Sequence, residues 1–352
     1  PVTGRFGFNR ETTPMKLRHV TLAVAALAVV MPSAASAQKM TLKFLTAWDK
    51  RVQGTPKIAY RFGDMVKAAT DGRITAKFSG PEVIKSRQQF QPTSTGVFDM
   101  NLSVAPYYVG TTGVHMAAFA LHADTEDWRK KGYWDYFDKE MGRFNQKMIA
   151  HVMGATGPDA FHVLLKRPLD KGEFPLKGRK IRANGFYKPV IVPLGGSMVN
   201  LNGGEIYSAL QKGVVEGAAW PVQGAIDFKW HEQAKYMMRP RFGVSPYTVT
   251  MNLSKFNKLS KADQALMLKL GREIEQTAPA SFNAATLKEI ELLKAAGVKE
   301  THLSPEVYKK MNAGFVQGVW NFAINFNKKS KPRVQKLYEM ARDNGDAPAS
   351  LK

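Results

Sequence analysis

Two stretches of sequence decide the fold: LKGRKIR at residues 176–182 and GGEIYSALQKGVVEGAAWP at residues 203–221. The first predicts a turn into a short strand that has Arg182 near its end. The second predicts a helix that begins at the paired glycines, ends at Gly213 and leads into a strand that reaches Trp220. The sequence therefore places one guanidinium and one large aromatic ring at neighbouring strand ends. A planar guanidinium binds a carboxylate through two parallel hydrogen bonds, which a lysine cannot do.

The rest of the chain alternates predicted strands with predicted helices, which is typical of α/β proteins with a largely parallel sheet. Strands are predicted near residues 41–48, 73–78, 97–102, 148–153 and 247–253. Helices are predicted near residues 54–69, 87–95, 128–146, 260–278, 281–296, 304–326 and 333–343. Ser260 is a suitable N-cap and Gly297 a suitable C-cap for the helices that they flank.

The two motifs resemble those of the DctP-type solute-binding proteins of tripartite ATP-independent periplasmic (TRAP) transporters. Weaker similarity extends over residues 40–337, nearly the whole chain that would follow a leader. The resemblance implies a two-lobed fold like that of type II periplasmic binding proteins, each lobe a mixed, mostly parallel sheet flanked by helices. It further implies that one long helix braces both lobes. In this family the arginine at the position of Arg182 makes the main salt bridge to the ligand carboxylate.

Domain boundaries follow from the resemblance and from breaks in the pattern. The first lobe is predicted to comprise residues 38–160 and about 248–287, and the second lobe residues 161–247 and about 288–330. Residues 331–352 are expected to form a C-terminal helix and tail. The glycine-containing cluster at residues 154–158 is the predicted first crossover between the lobes.

The N-terminal region predicts export. A basic segment begins at Met15, an apolar run covers residues 20–31, and small residues follow up to Ala37. This is the pattern of a Sec-type signal peptide at residues 15–37, cleaved after Ala37. Residues 1–14 precede a credible initiator and are interpreted as an over-extended reading frame. The expected location is the periplasm.

Composition narrows the possible partners. The chain has 352 residues, no cysteine and a formal net charge of +22. Without cysteine it forms neither disulfides nor thiolate metal sites. Basic residues cluster only at 238–241 and 328–333, whereas a nucleic-acid interface needs clustered Lys and Arg with interleaved aromatics. The positive field is therefore interpreted as a solvated surface that also attracts small anions, and no nucleic acid is expected.

Two departures from the family pattern bear on the ligand. Relatives that resemble 2-oxoacid binders have a glutamate that helps hold a metal ion at the position of Ala219, whose side chain has no donor atom, so no metal and no cofactor are expected. Many sialic-acid-type relatives have a second arginine where this chain has Phe161. One arginine in aromatic company favours a monocarboxylate with an apolar or aromatic body. A dicarboxylate or a 2-oxoacid remains the alternative.

Further residues are candidates for the ligand site. Trp220, Trp48 and Phe161 are expected to contact the body of the ligand. Asn184 is expected to add a neutral hydrogen bond, or else to serve as a turn residue. The remaining candidates are aromatic residues that could equally belong to the core: Tyr107, Tyr108 and Tyr187.

The motifs of common enzyme classes are missing from the sequence. It contains no Gly-x-Ser-x-Gly elbow, no phosphate-binding loop and no His-Glu-x-x-His. The prediction is a monomeric binding protein, not an enzyme, that captures a small organic acid and, as the resemblance implies, delivers it to large and small integral-membrane subunits. A ligand-sensing subunit of the same fold, an exported enzyme and a polyanion-binding adaptor remain the alternatives.

Overall fold

The computed structural model describes residues 1–11, 39–121, 125–154 and 160–351. Residues 1–11 contain no helix or strand. The predicted signal peptide at 15–37 and its cleavage site after Ala37 lie outside the described residues, as does most of the predicted crossover at 154–158. Within the described ranges, no helix is both long enough and apolar enough to cross a bilayer.

Eleven strands are present in the described residues. In chain order they are β1 (Met40–Thr46), β2 (Ile74–Ser79), β3 (Met100–Ser103), β4 (Gln146–Met153), β5 (Phe161–Leu165), β6 (Lys180–Arg182), β7 (Ser197–Val199), β8 (Gly217–Pro221), β9 (Tyr236–Arg239), β10 (Pro246–Asn252) and β11 (Lys299–His302). They form two separate sheets, which define the two lobes.

Ten α-helices surround these sheets in the same ranges. They are α1 (Arg61–Ala69), α2 (Phe90–Ser94), α3 (Thr125–Lys130), α4 (Tyr133–Gly142), α5 (Lys188–Ile191), α6 (Ile206–Gln211), α7 (Leu253–Lys258), α8 (Lys261–Ala295), α9 (Pro305–Phe326) and α10 (Lys331–Asp343). A wider helical turn, Thr55–Tyr60, leads directly into α1. Gly132, with a φ of 77°, separates α3 from α4 where one continuous helix was predicted.

The first lobe is built on a five-stranded sheet with the order β2-β1-β3-β10-β4. The pairs β1–β2 and β1–β3 are parallel, and β10 is antiparallel to both of its neighbours. The strand predicted near residue 247 is β10, which belongs to this sheet, and the predicted lobe boundaries stay a prediction. Every residue of β10 is buried, because the strand lies inside the sheet rather than at its edge.

The second lobe is built on a six-stranded sheet with the order β11-β9-β5-β8-β6-β7. Strand β6 is parallel to both β7 and β8, so the ends of these three strands lie side by side. Strand β5 runs antiparallel to β8 and places His162 opposite Trp220. The two sheets with their flanking helices confirm the predicted mixed α/β class.

Helix α8 extends over both lobes. It begins at Ser260, whose hydroxyl accepts a hydrogen bond from the Asp263 amide (3.0 Å), as the N-cap prediction required. Near the middle, the Glu275 carboxylate accepts a hydrogen bond from the His151 amide of β4 (2.7 Å). Near its end, the Glu289 carboxylate accepts one from the Ile226 amide in the second lobe (2.8 Å). This helix is the predicted brace.

The prediction of two helices in place of α8 was wrong. It ended the first helix near residue 278 because Pro279 removes one backbone N–H and crowds the preceding turn. The helix nevertheless continues through Pro279. Ile274, Ala278 and Phe282, on either side of the proline, are fully buried. Their burial stabilises the helical backbone against the local cost of the proline.

Candidate functional site

Arg182 ends β6 and lies almost completely buried, with 1% of its surface exposed. Its Nε and Nη2 both donate to the Leu201 carbonyl oxygen (3.0 and 2.7 Å), and Nη1 donates to the Ala219 carbonyl oxygen (3.1 Å). The centre of the guanidinium is 4.6 Å from the centroid of the Trp220 ring, so the two groups interact as a cation–π pair. Two backbone carbonyls and one indole thus fix the orientation of the guanidinium.

The charge of Arg182 is not neutralised by any carboxylate in the part of the chain that the structure describes, since none of them forms a salt bridge with it. Burial lowers the pKa of Arg182 to about 10, an effect that the neighbouring Tyr107 and Tyr187 partly oppose. A guanidinium has five N–H groups, and the three hydrogen bonds to carbonyls leave one N–H on Nη1 and one on Nη2 without an acceptor in the described ranges. These two N–H groups would be able to donate a pair of hydrogen bonds to a carboxylate.

A cavity of about 40 Å³ lies beside Trp220. Its walls are mostly aromatic, with a few polar groups: Trp48, Val52, Val104, Pro106, Tyr107, Phe119, Phe161, Asn184, Phe186, Tyr187, Trp220, Pro221, Ser245 and Tyr247. One water molecule needs about 10–15 Å³ of such space. In this conformation the cavity therefore accommodates a ligand of only a few non-hydrogen atoms.

Six of the eight residues predicted for the site line this cavity. They are Trp48, Tyr107, Phe161, Asn184, Tyr187 and Trp220. Arg182 is not part of the wall and lies against the Trp220 ring. Tyr108 is not part of it either: its ring packs 4.9 Å from the Phe90 ring, within the first lobe.

Trp48 and Tyr107 form a polar contact in the wall. The Trp48 Nε1 donates to the Tyr107 hydroxyl (3.0 Å), and the two rings lie 5.5 Å apart. Because the hydroxyl accepts this hydrogen bond, its own hydrogen remains available to a ligand. Burial raises the pKa of Tyr107, so the phenol stays protonated and acts as a donor.

Asn184 adds a further donor. Its side-chain oxygen accepts a hydrogen bond of 2.6 Å from Nη2 of Arg87, which belongs to the first lobe. The amide oxygen is therefore occupied, and the amide nitrogen is the group of Asn184 that remains for the cavity. Tyr107 and Asn184 thus place hydrogen-bond donors in the wall, and the Arg182 guanidinium lies next to it, against the Trp220 ring; donors and a positive charge suit an anionic oxygen ligand.

Sequence reasoning missed several residues of the site. Arg87 was predicted to lie in a short helix and was given no role in the site. In the structure, the single-turn helix Ser86–Gln88 brings Arg87 to the cleft. Tyr247 and Phe186 line the cavity as well. Phe186 stands next to Tyr187 in the sequence, which was the available signal. For Arg87 the sequence contained no comparable signal, since its partners lie in the other lobe.

No arrangement of three or more His, Asp or Glu side chains suited to a metal ion occurs in the described ranges. The expectation of a site without metal or cofactor stays a prediction.

Comparison with known proteins defines the family. The family model of bacterial extracellular solute-binding proteins, family 7 (DctP), matches residues 52–325. The chain belongs to the DctP family. This match confirms the resemblance that the motifs around Arg182 and Trp220 indicated. The DctP family is one of solute-binding proteins, and those of TRAP transporters are periplasmic.

Known DctP relatives are distant in sequence and similar in fold. A monocarboxylate 2-oxoacid-binding periplasmic protein of Nostoc is 26% identical over 280 residues, which cover 75% of this chain and 74% of the relative. A TRAP periplasmic solute-binding protein of Desulfovibrio salexigens matches with a TM-score of 0.73 and 22% identity, covering 86% of this chain and 99% of that one. A Rhodoferax ferrireducens protein of the same description matches with a TM-score of 0.73 and 18% identity, with the same coverage. These similarities confirm the predicted two-lobed fold.

Proposed function

We propose that this protein captures a small organic acid between its two lobes, and that the acid is a monocarboxylate with an apolar or aromatic body. One observation carries the proposal: Arg182 is buried, has no carboxylate partner among the described residues and keeps two N–H groups free. An unpaired buried charge is costly. A ligand carboxylate would neutralise it through a bidentate hydrogen bond, while Trp220, Trp48 and Phe161 contact the rest of the ligand.

The ligands of relatives support an acid. The Nostoc relative is described as a monocarboxylate 2-oxoacid-binding protein, and the Desulfovibrio and Rhodoferax structures contain orotic acid and malonate. Each of these ligands has a carboxylate. They differ widely in the remainder of the molecule, so the remainder must be selected by the other residues of each cavity.

The proposed cycle begins in the periplasm, after removal of residues 15–37. The lobes, residues 38–160 with about 248–287 and residues 161–247 with about 288–330, close on the acid by a hinge motion. We propose that the closed protein is a monomer and that it docks on the large and small membrane subunits of a TRAP transporter. The acid itself undergoes no chemical change.

A thermal-shift screen tests this function. The chain from Gln38 onward is melted with benzoate, isovalerate, pyruvate or succinate, and with benzamide as the neutral counterpart of benzoate. An acid present at about a hundred times its Kd should stabilise the protein by about 2.7 kcal/mol, and benzamide should not. Arg182→Met should abolish the shift and Arg182→Lys should keep little of it, because lysine lacks the planar fork. An acid shift that survives Arg182→Met would disprove the role of Arg182.

An acid with a second acceptor group is the alternative ligand. Arg87 favours it, because this second guanidinium lies 5.1 Å from the centroid of the Tyr107 ring and adds positive charge near the cavity. A larger shift with succinate than with isovalerate or benzoate would establish this alternative and overturn the monocarboxylate.

A further inference from the structure

Arg87 is a side chain of the first lobe that forms hydrogen bonds with the second lobe at the cleft. Its Nη2 donates to the side-chain oxygen of Asn184 (2.6 Å) and to that of Asn200 (3.0 Å). Asn184 follows β6 and Asn200 follows β7, so both acceptors belong to the second lobe. These charge-assisted hydrogen bonds are stronger than ordinary neutral ones.

The backbone around Arg87 is fixed to the first lobe. The Ser86 hydroxyl donates to the Ala47 carbonyl oxygen (2.6 Å). The side-chain nitrogen of Gln89, Nε2, donates to the Thr46 carbonyl oxygen (2.9 Å). Both acceptors lie at the end of β1, directly before Trp48. A contact from Arg87 to the second lobe therefore connects the two sheets through short, hydrogen-bonded segments.

The contact also determines which end of the Asn184 amide faces the ligand. Because the oxygen is engaged by Arg87, a reversed amide would direct its nitrogen at the guanidinium, two donors facing each other. Asn184 is 7% exposed and lines the cavity. Its nitrogen is consequently held as a donor toward the space beside Trp220.

We propose that Arg87 is a positioning residue of the binding site: it holds the cleft closed through Asn184 and Asn200 and orients the Asn184 amide toward the ligand. The first part concerns the equilibrium between the open and closed forms of the protein, which the contact shifts toward the closed form, and it is independent of which acid is bound. The second part rests on the proposed function, since it requires a ligand acceptor for the amide nitrogen.

The distance between the lobes tests the first part. The chain has no cysteine, so spin labels can be attached to Val97→Cys in the first lobe and Val214→Cys in the second, both at exposed positions. Pulsed electron resonance on the ligand-free parent should give a main population at the long distance of the open form and a minor population at the short distance of the closed form. Arg87→Ala should shift the population to longer distances, and Asn200→Ala should shift it less. Lys85→Ala, which removes one exposed charge from the same segment, should leave it unchanged. Identical distributions for the parent and Arg87→Ala would overturn the proposal.

Binding kinetics test the second part. For whichever of benzoate, isovalerate, pyruvate and succinate binds the parent, Arg87→Ala should raise the Kd about tenfold to a hundredfold, the equivalent of one charge-assisted hydrogen bond. The increase should come mainly from faster dissociation, because the closed form is lost. Asn184→Asp separates the two effects: it should keep the lobes together and still weaken acid binding, since it adds a negative charge to the cavity. An unchanged Kd in Arg87→Ala would disprove the positioning role.

The outcomes separate the two proposals. If none of the four acids binds the parent, the proposed function fails, and the distance measurement on the empty protein still decides whether Arg87 joins the lobes. A variant that melts within a few degrees of the parent is folded, so its distances and rates can be interpreted.

Discussion

Arg182 illustrates how backbone atoms can fix the orientation of a group that we propose binds the ligand. Two carbonyl oxygens, from Leu201 and Ala219, take three of its five N–H groups and fix the plane of the guanidinium. A ligand then meets a group that has already lost its rotational freedom, which reduces the entropic cost of binding. The same hydrogen bonds explain how a charged side chain can be buried without an acidic partner.

The Tyr107 hydroxyl should contribute directly to affinity. Tyr107→Phe removes a donor from the cavity and leaves Trp48 Nε1 without its acceptor. We expect the Kd of the bound acid to rise about tenfold, the effect of one lost hydrogen bond, in isothermal titration calorimetry. Tyr108→Phe is the matched control, because Tyr108 does not line the cavity. Equal effects of the two variants would contradict this assignment.

At the scale of elements, helix α8 depends on a close approach to the first sheet. Gly271 lies where the helix crosses β4, and a Cβ at this position would overlap the Ile149 carbonyl oxygen. Seven of the eight residues of β4 are buried, so the strand has little room to move away. The small size of Gly271 thus determines how near the brace lies to the first lobe.

Gly271→Ala should destabilise the protein although alanine favours helix by about 1 kcal/mol over glycine. The overlap with a backbone atom should cost about 1–3 kcal/mol or more, measured as a lower midpoint in urea. Gly314→Ala in α9 is the control, since its nearest heavy atom would be 3.9 Å away, at the Pro189 carbonyl. That substitution should be neutral or stabilising. A stable Gly271→Ala protein would show that α8 can move away from β4.

The sequence predicted elements more reliably than the contacts between them. Arg182 and Trp220 stand at neighbouring strand ends as their motifs required, because strand–turn–helix patterns are local. Pro279 misled the prediction of α8, since the contacts that keep the helix intact come from distant segments. Arg87 was missed for the same reason: its partners, Asn184 and Asn200, are about a hundred residues away in the sequence. Backbone acceptors such as the Leu201 carbonyl could not be predicted either, because every residue type has a backbone carbonyl.

For the whole molecule, buried histidines make stability depend on pH. His162 is fully buried in β5, and neither of its ring nitrogens has a hydrogen-bond partner among the described residues. Burial lowers the pKa of His162 to about 3, helped by Arg239 and Arg241. Below the ordinary histidine pKa of about 6.5, His162 is therefore protonated in the unfolded chain but stays neutral in the folded protein. The contribution of His162 to the free energy of unfolding is fully present above this pH and is lost as the pH falls toward 3.

His162→Leu should remove the contribution of His162 to this dependence, while that of the buried His115 and His151 remains. Relative to the parent, the free energy of unfolding of the variant should improve by about 1.4 kcal/mol for each pH unit below 6.5, measured by urea unfolding at pH 7, 6 and 5. Leu164→Val, a change in the same strand without a titrating group, should differ from the parent by the same amount at every pH. A pH-independent difference for His162→Leu would mean that His162 takes up its proton as readily in the folded protein as in the unfolded chain.

The position of β10 has a consequence for biosynthesis. This strand lies between β3 and β4 in the first sheet, yet it follows them in the chain only after β5 to β9 of the second lobe. A nascent chain that has emerged as far as Met153 contains all the strands of the first sheet except β10, whose place in the sheet is still unfilled. Until residue 252 emerges, β3 and β4 each keep an unsatisfied row of backbone groups, which invites pairing with other chains. The first lobe therefore starts to fold first but completes its sheet only after β5 to β9 of the second lobe have been synthesised. A chaperone that holds the unfinished sheet would be needed most during this interval.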